Sequence, residues 1–110
     1  LLAMNYMVEV RTGNEQTDGF DSPVYIQLFG TITNTPKVYL ESKYASFAKN
    51  STAKFHFSTN NIGDIENIII GHENFGKVNE WFLETLKIQT NTFEHESVLF
   101  IISLFISFFS

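Results

Sequence analysis

Apolar residues alternate with polar ones in short runs along this chain, and the runs are separated by turn-forming residues. Tyr6, Val8 and Val10 fall on one side of an extended segment and Met7, Glu9 and Arg11 on the other. That period of two describes a strand with one buried face. Thr12 to Ser22, rich in Gly, Asn, Asp and Thr, interrupts it as a loop. The alternation resumes over Pro23 to Phe29, with Val24, Ile26 and Leu28 together. Gly30 to Pro36 reads as a turn and Val38 to Leu40 as a short strand.

Further strands are predicted over Ala53–Ser58, Ile65–Ile70, Trp81–Ile88 and Val98–Phe105. Ile65–Ile70 is apolar enough to expect cover on both faces. Over Trp81–Ile88 the pattern sets Phe82, Leu86 and Ile88 against Trp81, Leu83 and Thr85. A short helix over Asn79–Ile88 competes with that strand, and the surrounding pattern favours the strand. Strands recurring at this interval with turns between them indicate an all-β chain, an antiparallel β-sandwich of about eight strands.

Composition agrees and excludes several function classes. Length 110 leaves room for one domain, and 44% hydrophobic against 17% charged residues supports a packed core. Twelve Phe and four Tyr favour strands. A net charge of −5 with only seven Lys and Arg argues against nucleic-acid binding, which needs a basic footprint. The chain has no cysteine, so disulfides and thiolate metal sites are excluded. This is compatible with the cytosolic side of a membrane. Asn50-Ser51-Thr52 is a glycosylation sequon, relevant only in a secretory lumen. Leu1 to Met4 has no basic segment and no long apolar run, so it reads as the start of a fragment rather than a signal peptide. Ser97 to Ser110 lacks charge but is shorter than a membrane span. It reads as a last strand with an apolar tail, or as a shortened membrane segment. If it is natural sequence, Ile101, Leu104 and Phe108 leave an apolar patch that needs a cover.

Three segments, in order, carry a resemblance. Tyr6-Met7-Val8-Glu9-Val10-Arg11-Thr12-Gly13 is a strand ending in Thr-Gly. Gly19-Phe20-Asp21-Ser22-Pro23 leads into an alternating strand closed by Gly30. Ile62-Gly63-Asp64-Ile65 runs through His72-Glu73-Asn74-Phe75-Gly76 to Glu80-Trp81-Phe82-Leu83. Together these resemble the PLAT family of polycystins, lipoxygenases and alpha-toxin, over residues 5 to 89. The resemblance places a PLAT domain at residues 5–106, with residues 107–110 as an apolar tail. The polycystin-like branch fits best. Ser97 to Ile102 keeps the rhythm of its last strand, but Val98 and Ile102 stand where Trp and Cys are expected, and Phe105 falls at the position of a second Trp. The rival branches are the stereocilia-type multi-PLAT proteins and lipoxygenase-like enzymes.

The resemblance implies a non-catalytic lipid- or protein-binding module beside a membrane, on its cytosolic face, within a larger membrane protein. The implied partners are an anionic phospholipid surface or a regulatory protein. Family members that bind calcium hold it in loops at one end of the sandwich. Here the candidates are Gly19, Asp21, Glu73 and Asn74. Calcium takes six to eight oxygen ligands, and Ala45, Ser46 and Ala48 stand where such members carry oxygen-bearing side chains. Weak or absent calcium binding is therefore expected, and no other cofactor. The plainer reading makes Asp21 a turn residue and Glu73-Asn74 a hairpin tip.

A membrane-inserting tip is expected from Phe20, Tyr44 and Phe75, with Lys43, Lys49 and Lys77 beside them to meet anionic headgroups. The alternative is that these rings fold back onto the sandwich. Trp81 is expected in the core and His56 in solvent. His72-Glu73 is not a zinc motif, because residue 76 is Gly. His95 lies between Glu94 and Glu96, with nothing to suggest catalysis. No nucleophile elbow, phosphate loop or dinucleotide pattern occurs, and an enzyme is not expected.

Overall fold

Aromatic and β-branched residues at every second position leave the chain few options besides strands, and the computed structural model has seven among its described residues. It describes residues 3–41, 47–73, 80–91 and 96–108, with the last stretch defined by its backbone. The strands are β1 (Ala3–Thr12), β2 (Val24–Gly30), β3 (Val38–Tyr39), β4 (Thr52–Asn60), β5 (Ile65–His72), β6 (Trp81–Asn91) and β7 (Glu96–Phe108). About eight were expected. They form two antiparallel sheets, one ordered β4-β1-β6-β7 and the other β3-β2-β5. Among the described residues no helix is long and apolar enough to cross a membrane.

The core lies between the sheets and follows the alternation. Tyr6, Val8 and Val10 of β1 face Val24, Ile26 and Leu28 of β2, and all six are buried. Phe55, Trp81, Leu86 and Ile88 complete the layer, with Leu40 and Ile62 entering from connections. Trp81 is fully buried and His56 is exposed.

Two expectations change. The faces of β6 do not separate as a strict alternation predicts. Trp81 and Leu83 are buried, then Leu86, Ile88 and Thr90. The parity switches because Arg11 pairs with Thr85 while Thr12 pairs with Leu83, which leaves Glu84 as an extra residue in β6. A bulge of this kind rotates the strand and resets which side faces the core. It also brings Glu84 beside Arg11, Nε to Oε2 at 3.1 Å. The second correction concerns β5. It is not covered on both faces, for Ile69 is 49% exposed. Among the described residues the sandwich has only two layers, so the outer face of β5 has no third layer above it.

β7 pairs with β6 through Ser107 opposite Phe82 and Phe108 opposite Trp81. The ladder thus continues two residues past the boundary expected at 106. The side chains of Ile101, Leu104 and Phe108, and the whole of His95, lie outside the described residues.

Among the described residues one core group has no hydrogen-bond partner. The Tyr6 ring stacks on Phe57 with centroids 5.3 Å apart, and its buried hydroxyl makes no hydrogen bond among the described residues. Burial pushes the phenol above its ordinary value. An unmet buried hydroxyl costs about 1–3 kcal/mol. Tyr6→Phe is therefore expected to be neutral or to stabilise by about 1 kcal/mol in urea titrations. The pH dependence carries its own sign. The unfolded tyrosine ionises first, so stability holds below about 10 and declines as pH rises toward the folded value. Tyr6→Phe should flatten that alkaline decline. Equal slopes in variant and parent would contradict this account.

Candidate functional site

The topology gathers three connections at one end of the sandwich. β1 ends where β4 begins, since Arg11 pairs with Thr52. β5 ends where β2 begins, since His72 pairs with Val24. The connection 13–23 and the described parts of the other two, residues 40–41, 47–51, 73 and 80, therefore lie together beside the start of β6.

Their described parts are tied by backbone hydrogen bonds. Thr12 N–H donates to Ser51 O at 2.9 Å, Gly13 N–H to Phe82 O at 2.8 Å, and Glu73 N–H to Pro23 O at 2.9 Å. Asn50 takes a left-handed conformation, φ 58°, which Asn tolerates better than most residues. Its side-chain amide donates to Asn14 Oδ1 at 3.2 Å.

Gln16 makes the tightest tie. It is buried, its amide nitrogen donating to Glu80 O at 3.0 Å and to Thr17 O at 3.3 Å. Its amide oxygen accepts from Phe82 N–H at 2.9 Å. This pins the 13–23 loop to the first residues of β6. Nothing in the sequence distinguishes this glutamine from the solvated polar residues around it, so it was not among the candidates.

Beneath the loops lies an aromatic cluster. Phe20 stacks on Trp81 at 6.4 Å, meets His72 edge-on at 5.0 Å and Phe47 edge-on at 6.4 Å. Phe47 also packs against Trp81 at 5.3 Å and Phe55 at 5.7 Å. The Trp81 indole N–H donates to the buried Thr12 hydroxyl at 3.0 Å. Phe20 is therefore half-buried, its ring turned onto the sandwich rather than held free at a loop tip. Lys49 is exposed at the same end, with Gly19 and Asp21. Lys43, Tyr44, Asn74, Phe75 and Lys77 lie outside the described residues.

Of the candidate calcium ligands, Gly19 has φ 89° and sits at the exposed turn before Phe20. Glu73 is engaged elsewhere. Its carboxylate accepts from the Tyr39 hydroxyl at 2.8 Å and lies 3.4 Å from Lys37 Nζ. The hydrogen bond from Tyr39, aided by Lys37, holds the Glu73 carboxyl below its ordinary value. The Ala48 carbonyl already accepts from Ser51, through both its N–H and its hydroxyl. Among the described residues no three His, Cys, Asp or Glu stand close enough to hold a metal. The described donors therefore do not fit a calcium cage.

His72 is buried with Nδ1 2.7 Å from Glu73 O. A carbonyl only accepts, so Nδ1 carries the proton. The ring is a packing element beneath Phe20.

Comparison with known proteins agrees with this fold. The mouse Lipoxygenase homology domain-containing protein 1 is 33% identical over 86 residues, 76% of this chain and 4% of that protein. The mouse Polycystin family receptor for egg jelly is 32% identical over 98 residues, 87% of this chain and 5% of that protein. The chain thus spans only a small part of the length of these relatives. A crystal structure of an engineered lipoxygenase superposes with a TM-score of 0.82 at 23% identity, over 97% of this chain and 15% of that one, and shows a shared fold. The sequence profile of the PLAT/LH2 domain matches residues 6–107. The order of strands, the loop end and the match over nearly the whole length make this chain a member of the PLAT/LH2 domain family.

Proposed function

We propose that the chain is a non-catalytic attachment module of a larger polycystin-like membrane protein. In this reading it lies on the cytosolic face, and its loop end meets an anionic phospholipid surface. The observation that carries the reading is the tied loop end. Gln16, Thr12 and the Phe20–Trp81 stack hold the 13–23 loop on the sandwich. The loop end is thereby a preformed surface. Phe20 serves as its base, and Tyr44 and Phe75 supply the aromatic contact. Lys43, Lys49 and Lys77 supply the charge, each worth about 1 kcal/mol near an anionic bilayer. Calcium through Gly19, Asp21, Glu73 and Asn74 is at most a minor contributor, since Glu73 is held by Tyr39 and Lys37.

Vesicle co-sedimentation tests this. Binding to phosphatidylserine-containing vesicles should exceed binding to pure phosphatidylcholine and change little on adding calcium or chelator. Neutralising one lysine, as in Lys49→Gln, should weaken binding about fivefold, and all three together by about a hundredfold. Tyr44→Ser with Phe75→Ser should weaken it further. Equal partitioning onto neutral and anionic vesicles would overturn the lipid reading.

A second reading, a protein-interaction repeat of the multi-PLAT kind, is favoured by the exposed carboxylates Glu15, Asp18 and Asp21 on the same loop. These repel an anionic surface and suit a basic protein partner. A domain of a lipoxygenase-like enzyme is the remaining alternative, and the sequence flanking the domain in its gene distinguishes it.

A further inference from the structure

We infer that the outer face of β2 and β3 carries a cation site that takes an arginine side chain from a basic segment of another protein. The inference gives the protein-partner reading a site of its own and rests on that reading for the kind of partner. Three strands build the site. Tyr25 pairs with Tyr39 of β3 on one side and with Gly71 of β5 on the other. Val24 and Ile26 are buried in the core, so Tyr25 between them faces outward. Gly71 lets the Tyr25 ring lie down across β5, for a Cβ there would stand 3.0 Å from the phenol oxygen and 3.2 Å from Cζ. The Tyr39 ring meets the Tyr25 ring at 69°, with centroids 6.0 Å apart. The two rings therefore make an aromatic corner on the sheet.

This corner already holds a cation. Lys37 Nζ stands 4.0 Å from the centroid of the Tyr25 ring and 3.4 Å from Glu73 Oε1. The ring quadrupole draws an ammonium to its face, and the carboxylate adds its charge. Both contacts to Glu73, from Lys37 and from the Tyr39 hydroxyl, fall on Oε1. Among the described residues Oε2 makes no hydrogen bond or ion pair of its own. Pro23, Tyr39, Glu41 and Glu73 line an open cleft of about 380 Å³ here. Glu41 is exposed and makes no ion pair among the described residues.

The chemistry of the cleft selects its occupant. Two carboxylates beside a tyrosine that is 42% exposed repel anions and suit a cation flat enough to stack. A guanidinium lies on an aromatic ring and forks onto carboxylate oxygens, which a compact ammonium does not. Lys37 satisfies the Tyr25 end, so the open places are the Tyr39 ring, Glu41 and Oε2 of Glu73. The net charge of −5 draws a basic segment toward the chain. The loop carboxylates Glu15, Asp18 and Asp21 take no part in this site.

Titration of the chain with acetyl-arginine amide, followed by amide NMR, tests it. Saturable shifts centred on Tyr39, Glu41 and Glu73 are expected, with Kd on the order of 1 mM or weaker for a single side chain. Acetyl-citrulline amide keeps the shape without the charge and should shift nothing. Glu41→Gln should weaken binding about threefold. Lys37→Gln should strengthen it about threefold, because the internal cation no longer shares Glu73. Lys54→Gln removes the same charge on the other sheet, where Lys54 meets Glu9, and should not. These three side chains are exposed, so the melting temperatures should stay unchanged. Glu15→Gln with Asp18→Asn and Asp21→Asn should leave the arginine shifts as they are. Shifts lost in that triple variant would move the cation to the loop, which overturns this site and leaves the protein-partner reading standing. The site is also overturned by the absence of saturable shifts, by equal shifts from citrulline, or by equal gains from Lys37→Gln and Lys54→Gln. Larger shifts at Tyr39 from phosphocholine would make it a lipid-headgroup site and overturn it as well.

Discussion

Gly30→Ala is expected to be among the most damaging single substitutions in this chain, lowering stability by about 3 kcal/mol or more and the melting temperature by about 10–20 °C. Gly30 closes β2 where the 60–64 connection crosses it. A Cβ there would stand 2.1 Å from the Ile62 carbonyl oxygen, 2.8 Å from its carbon and 2.9 Å from its Cβ. None of these is the far end of a flexible side chain. The same carbonyl accepts from Ile32 N–H at 2.8 Å, and Ile62 is itself buried in the core. Relieving the overlap therefore moves a hydrogen-bonded turn and a core side chain together. Gly13→Ala is the control. Its Cβ would meet nothing closer than 3.6 Å, and its melting temperature should change little. Thermal melts followed by circular dichroism compare the two, and similar values for both would show that the crossing at Gly30 does not constrain the fold.

The second large effect is expected at Trp81. Truncation to alanine should cost about 3–5 kcal/mol. The indole is fully buried, contacts Phe20 and Phe47, and bonds the buried Thr12 hydroxyl. Trp81→Phe keeps much of the ring volume but leaves the Thr12 hydroxyl unmet, at a cost of about 1–3 kcal/mol. Thr12→Val combined with Trp81→Phe should recover part of that loss, because both polar groups are then gone. Additive costs in urea titrations would argue that the hydrogen bond contributes nothing. Trp81 is the single tryptophan, so these variants are followed by circular dichroism. In the parent, its fluorescence reports directly on whether the loop end opens.

The alternation in β1 and β2 made the core legible in advance. Tyr6, Val8, Val10, Val24, Ile26 and Leu28 are buried as read, because a strand with one face on a core must segregate its residues at period two. β6 was legible only as a strand. Its burial pattern changes parity at Glu84, and a bulge depends on the register of a neighbouring strand rather than on local sequence. Ile65–Ile70 misled for a related reason. An apolar run does not specify how many layers will cover it, and in a two-layer sandwich Ile69 remains open. Around the loop end, Gly19, Asp21 and Glu73 could be placed by resemblance. The engagement of Glu73 by Tyr39 and Lys37 joins β5 to β3 across β2 and leaves no local trace.

What the amino-acid order determined by itself is therefore the set of strands, the side of each early strand that is buried, and the family to which the chain belongs. These follow from short-range periodicity and from turn chemistry. Tertiary structure alone decided that Phe20 lies over Trp81, that Gln16 pins the first loop to β6, and that a bulge at Glu84 resets which side of β6 faces the core. Each depends on which distant strands become neighbours, and pairing energy between segments far apart in the chain is not written in either segment alone.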